Sequence, residues 1–148
     1  MIAIGSDHGG YKLKEQLKHY FDEMQIPYKD LGTYNEERTD FPKYGAEVAR
    51  CVQSGEAECG IVICKTGFGM AITANKFKGI RCAAVYEEET ARQAKEHLNV
   101  NMLAIPAEYV NESQAVAMVR LWLGSEFLKG RYEERIQMIA DIESENMK

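Results

Sequence analysis

Short apolar runs alternate with amphipathic stretches along the chain. Residues 2–5 are a continuous apolar run of the kind that sits buried in a sheet. Across residues 11–25, Leu13, Leu17, Tyr20, Phe21 and Met24 recur at helical spacing on one face. A weaker strand at 28–31 follows Pro27, and residues 32–42 form a polar loop with Glu36, Glu37, Arg38, Thr39 and Asp40. Residues 44–54 read as a helix closed by Gly55, and residues 60–64 are the clearest strand. A glycine-interrupted loop at 65–69 leads into a short helix ending at Lys76. A fourth strand spans 80–86, and a helix over 87–98 opens with Glu87, Glu88 and Glu89 at the positive end of its dipole. A fifth strand follows at 102–105, then a heavily buried helix at 111–123, where Asn111 and Gln114 have capping-box spacing. The last helix covers 125–142, and the polar tail 143–148 is expected to fray.

Strands alternating with helices predict βαβ units: an α/β fold with a five-stranded parallel sheet between two helix layers. Right-handed crossovers restrict the topology, and the flavodoxin-like strand order 2-1-3-4-5 is expected, with an extra C-terminal helix. In that order strands 1 and 3 are neighbours whose following helices lie on opposite faces. A crevice then opens outside their C-terminal ends. The loops there are Ser6-Asp7-His8-Gly9-Gly10 and Cys64-Lys65-Thr66-Gly67-Phe68-Gly69, the two most chemically loaded segments of the chain.

Composition narrows the choice of function. A chain of 148 residues fits one domain, residues 1–148, and its Lys plus Arg count of 18 against 23 Asp plus Glu gives a net charge of −5. That balance argues against coating nucleic acid or an anionic membrane, so any phosphate must be held by a local site. No apolar run is long enough to span a bilayer, and the start at Met1 lacks the basic segment of a leader. Cys51, Cys59, Cys64 and Cys82 form no CxxC pair and no ligand-spaced cluster with histidine. They read as reduced thiols, which points to a cytoplasmic location.

Several residues carry two readings each. Cys64, between a strand and a glycine-rich turn, is either a buried structural thiol, as Cys59 and Cys82 are read, or a reactive one. Lys65 and a helix N-terminus would stabilise its thiolate. A thiol phosphatase needs arginine six residues on, where Met70 stands. Thr66, Gly67, Phe68 and Gly69 form either a plain turn or a nest of N–H groups for an oxyanion. Asp7 either caps the next helix or, with His8, holds a sugar hydroxyl and a phosphate. His97 is either structural or a proton donor to a ring oxygen. Arg131 and Arg135, one helical turn apart, either pair with Glu126, Glu133 or Glu134 or share a phosphate.

The ordered set Ser6-Asp7-His8-Gly9-Gly10, Arg38-Thr39-Asp40-Phe41-Pro42, Gly60 to Met70, Ala74-Asn75-Lys76, Gly79-Ile80-Arg81 and Gly130-Arg131 with Arg135 resembles the type B ribose-5-phosphate isomerases and the galactose-6-phosphate isomerase subunits. The resemblance runs from Ile2 to about Ile142. It implies a Rossmann-like three-layer sandwich, and a homodimer or tetramer with active sites at a subunit interface. It also implies aldose–ketose isomerisation of a small phosphorylated sugar through a cis-enediolate, without metal or other cofactor. By match, Cys64 is the base, Thr66 and the amides of Gly67, Phe68 and Gly69 stabilise the enediolate, and His97 opens the furanose ring. Asp7 and Asn99 bind the sugar, and His8, Arg131 and Arg135 bind the phosphate.

Four positions depart from the family's usual pattern. Lys65 stands where glycine follows the cysteine, Leu98 where asparagine follows the histidine, Glu108 where many members carry a phosphate-holding arginine, and Tyr132 where histidine is usual. They change the substrate-reading shell and spare the proton-transfer residues. Ribose 5-phosphate is therefore the first substrate expected. A tetrulose phosphate, a hexose 6-phosphate, an unphosphorylated sugar or a non-catalytic binding module are the alternatives. Apolar surface at Leu121, Trp122, Leu123, Phe127 and Leu128 predicts a symmetric dimer.

Overall fold

A computed structural model describes residues 1–147. Five parallel strands, β1 (Ile2–Ser6), β2 (Tyr28–Asp30), β3 (Cys59–Cys64), β4 (Cys82–Ala84) and β5 (Met102–Pro106), pair in the order β2-β1-β3-β5-β4. The helices are α1 (Tyr11–Glu23), α2 (Phe41–Gln53), α3 (Phe68–Ala74), α4 (Glu88–Leu98), α5 (Glu112–Gly124) and α6 (Arg131–Asn146).

Side-chain alternation builds the three layers. Ile2, Ile4, Ile61, Ile63, Leu103 and Ile105 face one way and pack with α1, α4 and α5. Ala3, Val62, Cys64, Met102 and Ala104 face the other way and pack with α2 and α3. The helices after β1 and β3 therefore lie on opposite faces, as the sequence predicts.

The expected order 2-1-3-4-5 is corrected at its far end, where β5 lies between β3 and β4. Burial explains the exchange. Every residue of β5 is buried, whereas β4 is three residues long and half-buried beyond its first position. A long apolar strand is most stable with neighbours on both sides, and a short one suits the edge.

Other boundaries shift for local reasons. Helix α2 starts at Phe41, not 44, because proline is tolerated in a first turn, where its missing N–H has no helical partner. The last helix starts at Arg131, not 125. Lys129 and Gly130 both have positive φ, and the Leu128 amide bonds the Glu96 carbonyl, so the intervening chain is not helical. That helix also runs to Asn146, so residues 143–146 are helical, while Lys148 lies outside the described residues. The capping box at Asn111 and Gln114 is present in both directions, each bond 2.8 Å.

Trp122 is fully buried in the chain's own core, so it does not belong to the surplus apolar surface. Leu128 of the expected patch is exposed, and α6, which buries no residue, adds the exposed Met138, Ile139 and Ile142. Among the described residues no helix is long and apolar enough to cross a membrane.

Candidate active site

The parallel register sets Ser6 beside Ile63, so the loops after β1 and β3 leave the sheet side by side. The first folds into a tight 3-10 turn, His8–Gly10, capped by Asp7 through a 3.1 Å bond from the Gly10 amide. A Cβ at Gly10 would lie 2.5 Å from the Ile63 carbonyl oxygen, so only glycine lets this turn rest on the end of β3. Asp7 is thus the cap that one reading of the sequence describes, and it also lines the cleft.

The second loop turns at Gly67, whose φ of +79° suits glycine. The turn aims the Gly67 amide at the Cys64 sulfur, 3.2 Å away, and the Phe68 amide at the Thr66 hydroxyl oxygen, 3.3 Å away. The Cys64 sulfur is thus held against a main-chain donor at the mouth of the loop. Burial pushes Cys82 up to about 12 and Cys59 up to about 11. Burial also raises Cys51, as does its hydrogen bond to Glu56.

Between the two loops lies a cleft of about 490 Å³, lined by Asp7, His8, Cys64, Thr66 and Gly69, with Lys65 at its edge. Its remaining wall is Arg38, Thr39, Asp40 and Phe41. Thr39 fixes His8: its amide donates to Nδ1 over 3.2 Å, with its carbonyl at the same distance. Nε2 is then the ring nitrogen left for a ligand. Thr39 also donates its hydroxyl to Tyr44 over 3.3 Å, and bonds from Thr33 and Thr39 hold the Tyr44 phenol below its usual range. Sequence reasoning quotes this wall as a motif but gives it no role. The signal available is Asp40 just before α2 and Pro42 in its first turn.

A second cluster forms at the end of α4. The His97 ring stacks on Tyr132, with centroids 4.4 Å apart and planes within 8°. The Arg131 guanidinium lies over the same tyrosine at 5.1 Å and donates to its hydroxyl over 3.1 Å. Arg135 follows one turn on, exposed, and Asn99 ends α4 in the left-handed conformation. The chain therefore brings Asp7, His8, Cys64, Thr66, Gly67, Phe68 and Gly69 together. It gathers His97, Asn99, Arg131 and Arg135 elsewhere, and none of these four lines the cleft.

Known proteins share this fold. The sequence model of the Ribose/Galactose Isomerase family matches residues 2–139. The chain belongs to the ribose/galactose isomerase family. Ribose-5-phosphate isomerase B of Escherichia coli is 39% identical over 142 residues, spanning 96% of this chain and 95% of that protein. The solved ribose-5-phosphate isomerase B of Clostridium thermocellum superposes with a TM-score of 0.95 at 42% identity, covering 97% of each chain. That of Mycoplasma genitalium, solved with bound ribulose-5-phosphate, gives 0.93 at 35% identity, covering 98% of this chain and 97% of that one. As a ribose/galactose isomerase of the B type, the protein is an intramolecular oxidoreductase acting on a sugar phosphate.

Proposed function

We propose that the protein interconverts ribose 5-phosphate and ribulose 5-phosphate through a cis-enediolate, as a single-domain enzyme without metal. The observation that supports this most directly is the Cys64 sulfur under the Gly67 amide, in a cleft shared with Asp7, His8 and Thr66. The proton on C2 of the open-chain aldose is weakly acidic, so a base and an oxyanion site must act together. Cys64 takes the C2 proton and delivers it to C1. Thr66 and the amides of Gly67, Phe68 and Gly69 stabilise the enediolate oxygen. Asp7 and Asn99 hold sugar hydroxyls, and His8 holds the phosphate with Arg131 and Arg135. His97 protonates the furanose oxygen to open the ring.

His97, Asn99 and the two arginines reach a cleft from a second copy of the chain, in a homodimer or a tetramer of such dimers. Their absence from the lining of their own cleft supports this, as do the exposed Met138, Ile139 and Ile142 of α6.

A second reading keeps the chemistry and changes the sugar. The Glu108 amide bonds the Lys65 carbonyl over 3.1 Å, so an acidic side chain leaves the backbone beside the cleft's edge. The family's description also includes galactose isomerases, which favours a hexose 6-phosphate as the alternative. Proton NMR in D2O with EDTA, on ribose 5-phosphate and a panel of other aldoses and ketoses, tests both readings. Rapid exchange at C2 with ketose formation is expected for ribose 5-phosphate. Exchange with only a hexose 6-phosphate establishes the second reading, and none with any sugar overturns both.

A further inference from the structure

We propose that Tyr132 is a positioning residue that clamps the His97 imidazole by stacking. The inference rests on the reading in which His97 opens the sugar ring. The backbone around His97 is fixed on both sides. The Glu96 carbonyl accepts the Leu128 amide at 3.0 Å. The Leu98 and Asn99 carbonyls accept the Arg81 guanidinium, the shortest bond being 2.7 Å. The freedom that remains is rotation of the imidazole about its own side-chain bonds. The Tyr132 ring, parallel to it within 8°, opposes that rotation from one face. Stacking covers a face and leaves the ring edge, where both nitrogens sit, open to a ligand.

The chemistry needs this restraint. When a furanose opens, the C1–O4 bond breaks and O4 takes the proton from His97. The anomeric hydroxyl loses its proton to water as C1 becomes the carbonyl, and the imidazole is recharged from solvent. The proton must lie in line with O4, and a small misplacement of a reacting group costs a large factor in rate. Arg131 lies over the Tyr132 ring and donates to its hydroxyl, which backs the tyrosine against the imidazole.

Ribulose 5-phosphate separates the steps. Its O5 carries the phosphate, so it cannot close a five-membered ring and needs no opening. In D2O, Tyr132→Leu is expected to lower turnover of ribose 5-phosphate about tenfold, while exchange at C1 of ribulose 5-phosphate stays within about twofold of wild type. Tyr132→Phe, which keeps the ring, is expected to restore turnover. Equal loss of both reactions in Tyr132→Leu overturns the proposal, because the residue then acts on the fold or on phosphate binding. Unchanged turnover in Tyr132→Leu, or a Tyr132→Phe variant as impaired as Tyr132→Leu, also overturns it. Failure of the underlying reading looks different: His97→Asn then turns over ribose 5-phosphate at the wild-type rate, or the wild type processes neither sugar.

Discussion

The loop after β3 and the end of α4 both carry residues of the proposed reaction, yet they are held by different means. Cys64 and Thr66 stand at the centre of the sheet, and main-chain groups fix their surroundings: the Gly67 amide on sulfur, the Phe68 amide on the hydroxyl, and the Ala107 amide on the Cys64 carbonyl at 2.9 Å. His97 and Arg131 stand on helices at the rim, and side chains fix them: Tyr132 on the imidazole and Arg81 on the carbonyls that end α4. A backbone-built site tolerates few sequence changes at its glycines, whereas a side-chain-built site can be retuned one residue at a time. In the proposed reaction the transfer between C2 and C1 thus sits where the fold decides, and ring opening and phosphate binding sit where substitution is easy. Of the four departures from the family's usual residues, Leu98 and Tyr132 belong to the second region, while Lys65, in place of a glycine, and Glu108, bonded to it, border the first.

Breaking the first region gives the largest effect. Cys64→Ala removes the base and is expected to cut turnover about 10³-fold with substrate binding kept, measured by steady-state kinetics beside calorimetric titration. Separating the two regions comes next. Met138 is exposed in the single chain, so Met138→Glu leaves the chain's own fold intact and places a charge on the α6 face. Sedimentation should show monomers, and specific activity at low protein concentration should fall about tenfold.

The smallest effect on turnover comes from a support of the first region. Lys14, fully buried, bonds Asp30 at 2.7 Å, and Lys18 bonds it at 2.8 Å. Asp30 in turn accepts the Gly32 amide at the start of the loop that leads to Thr39. Burial pushes the Asp30 carboxyl up, but Lys14, Lys18 and the Gly32 amide outweigh it and hold it below its usual range. The stability it contributes is therefore present above about pH 4 and is lost as pH falls through the lowered value. Asp30→Asn, which leaves Lys14 short of a charged partner, is expected to cost about 3 kcal/mol at neutral pH. Urea melts should show that gap narrowing in acid, with turnover near wild type. A gap that is unchanged below pH 4 would contradict the assignment.

The sequence made the first region legible and the second only in pieces. Asp7, His8, Cys64 and Thr66 lie at strand ends, and strand order brings strand ends together, so apolar runs and glycines suffice to locate them. The Thr39 wall was readable as a motif without a role, because its contact with His8 spans 31 residues of chain. The stack of His97 on Tyr132 left no local signal, since the two lie on separate helices whose docking depends on the turn at Lys129 and Gly130. The exchange of β4 and β5 escaped for a related reason. Both runs are apolar, and what ranks them is the length over which each is buried, which appears only once they pair.

That exchange also bears on how the chain comes together as it is synthesised. β4 hydrogen-bonds to β5 alone, and β5 fills the place beside β3. Until residues 102–106 leave the ribosome, β4 has no strand to join and β3 has one open side. The sheet is closed from within by its last strand, so its outer edge cannot be laid down in the order in which it is translated.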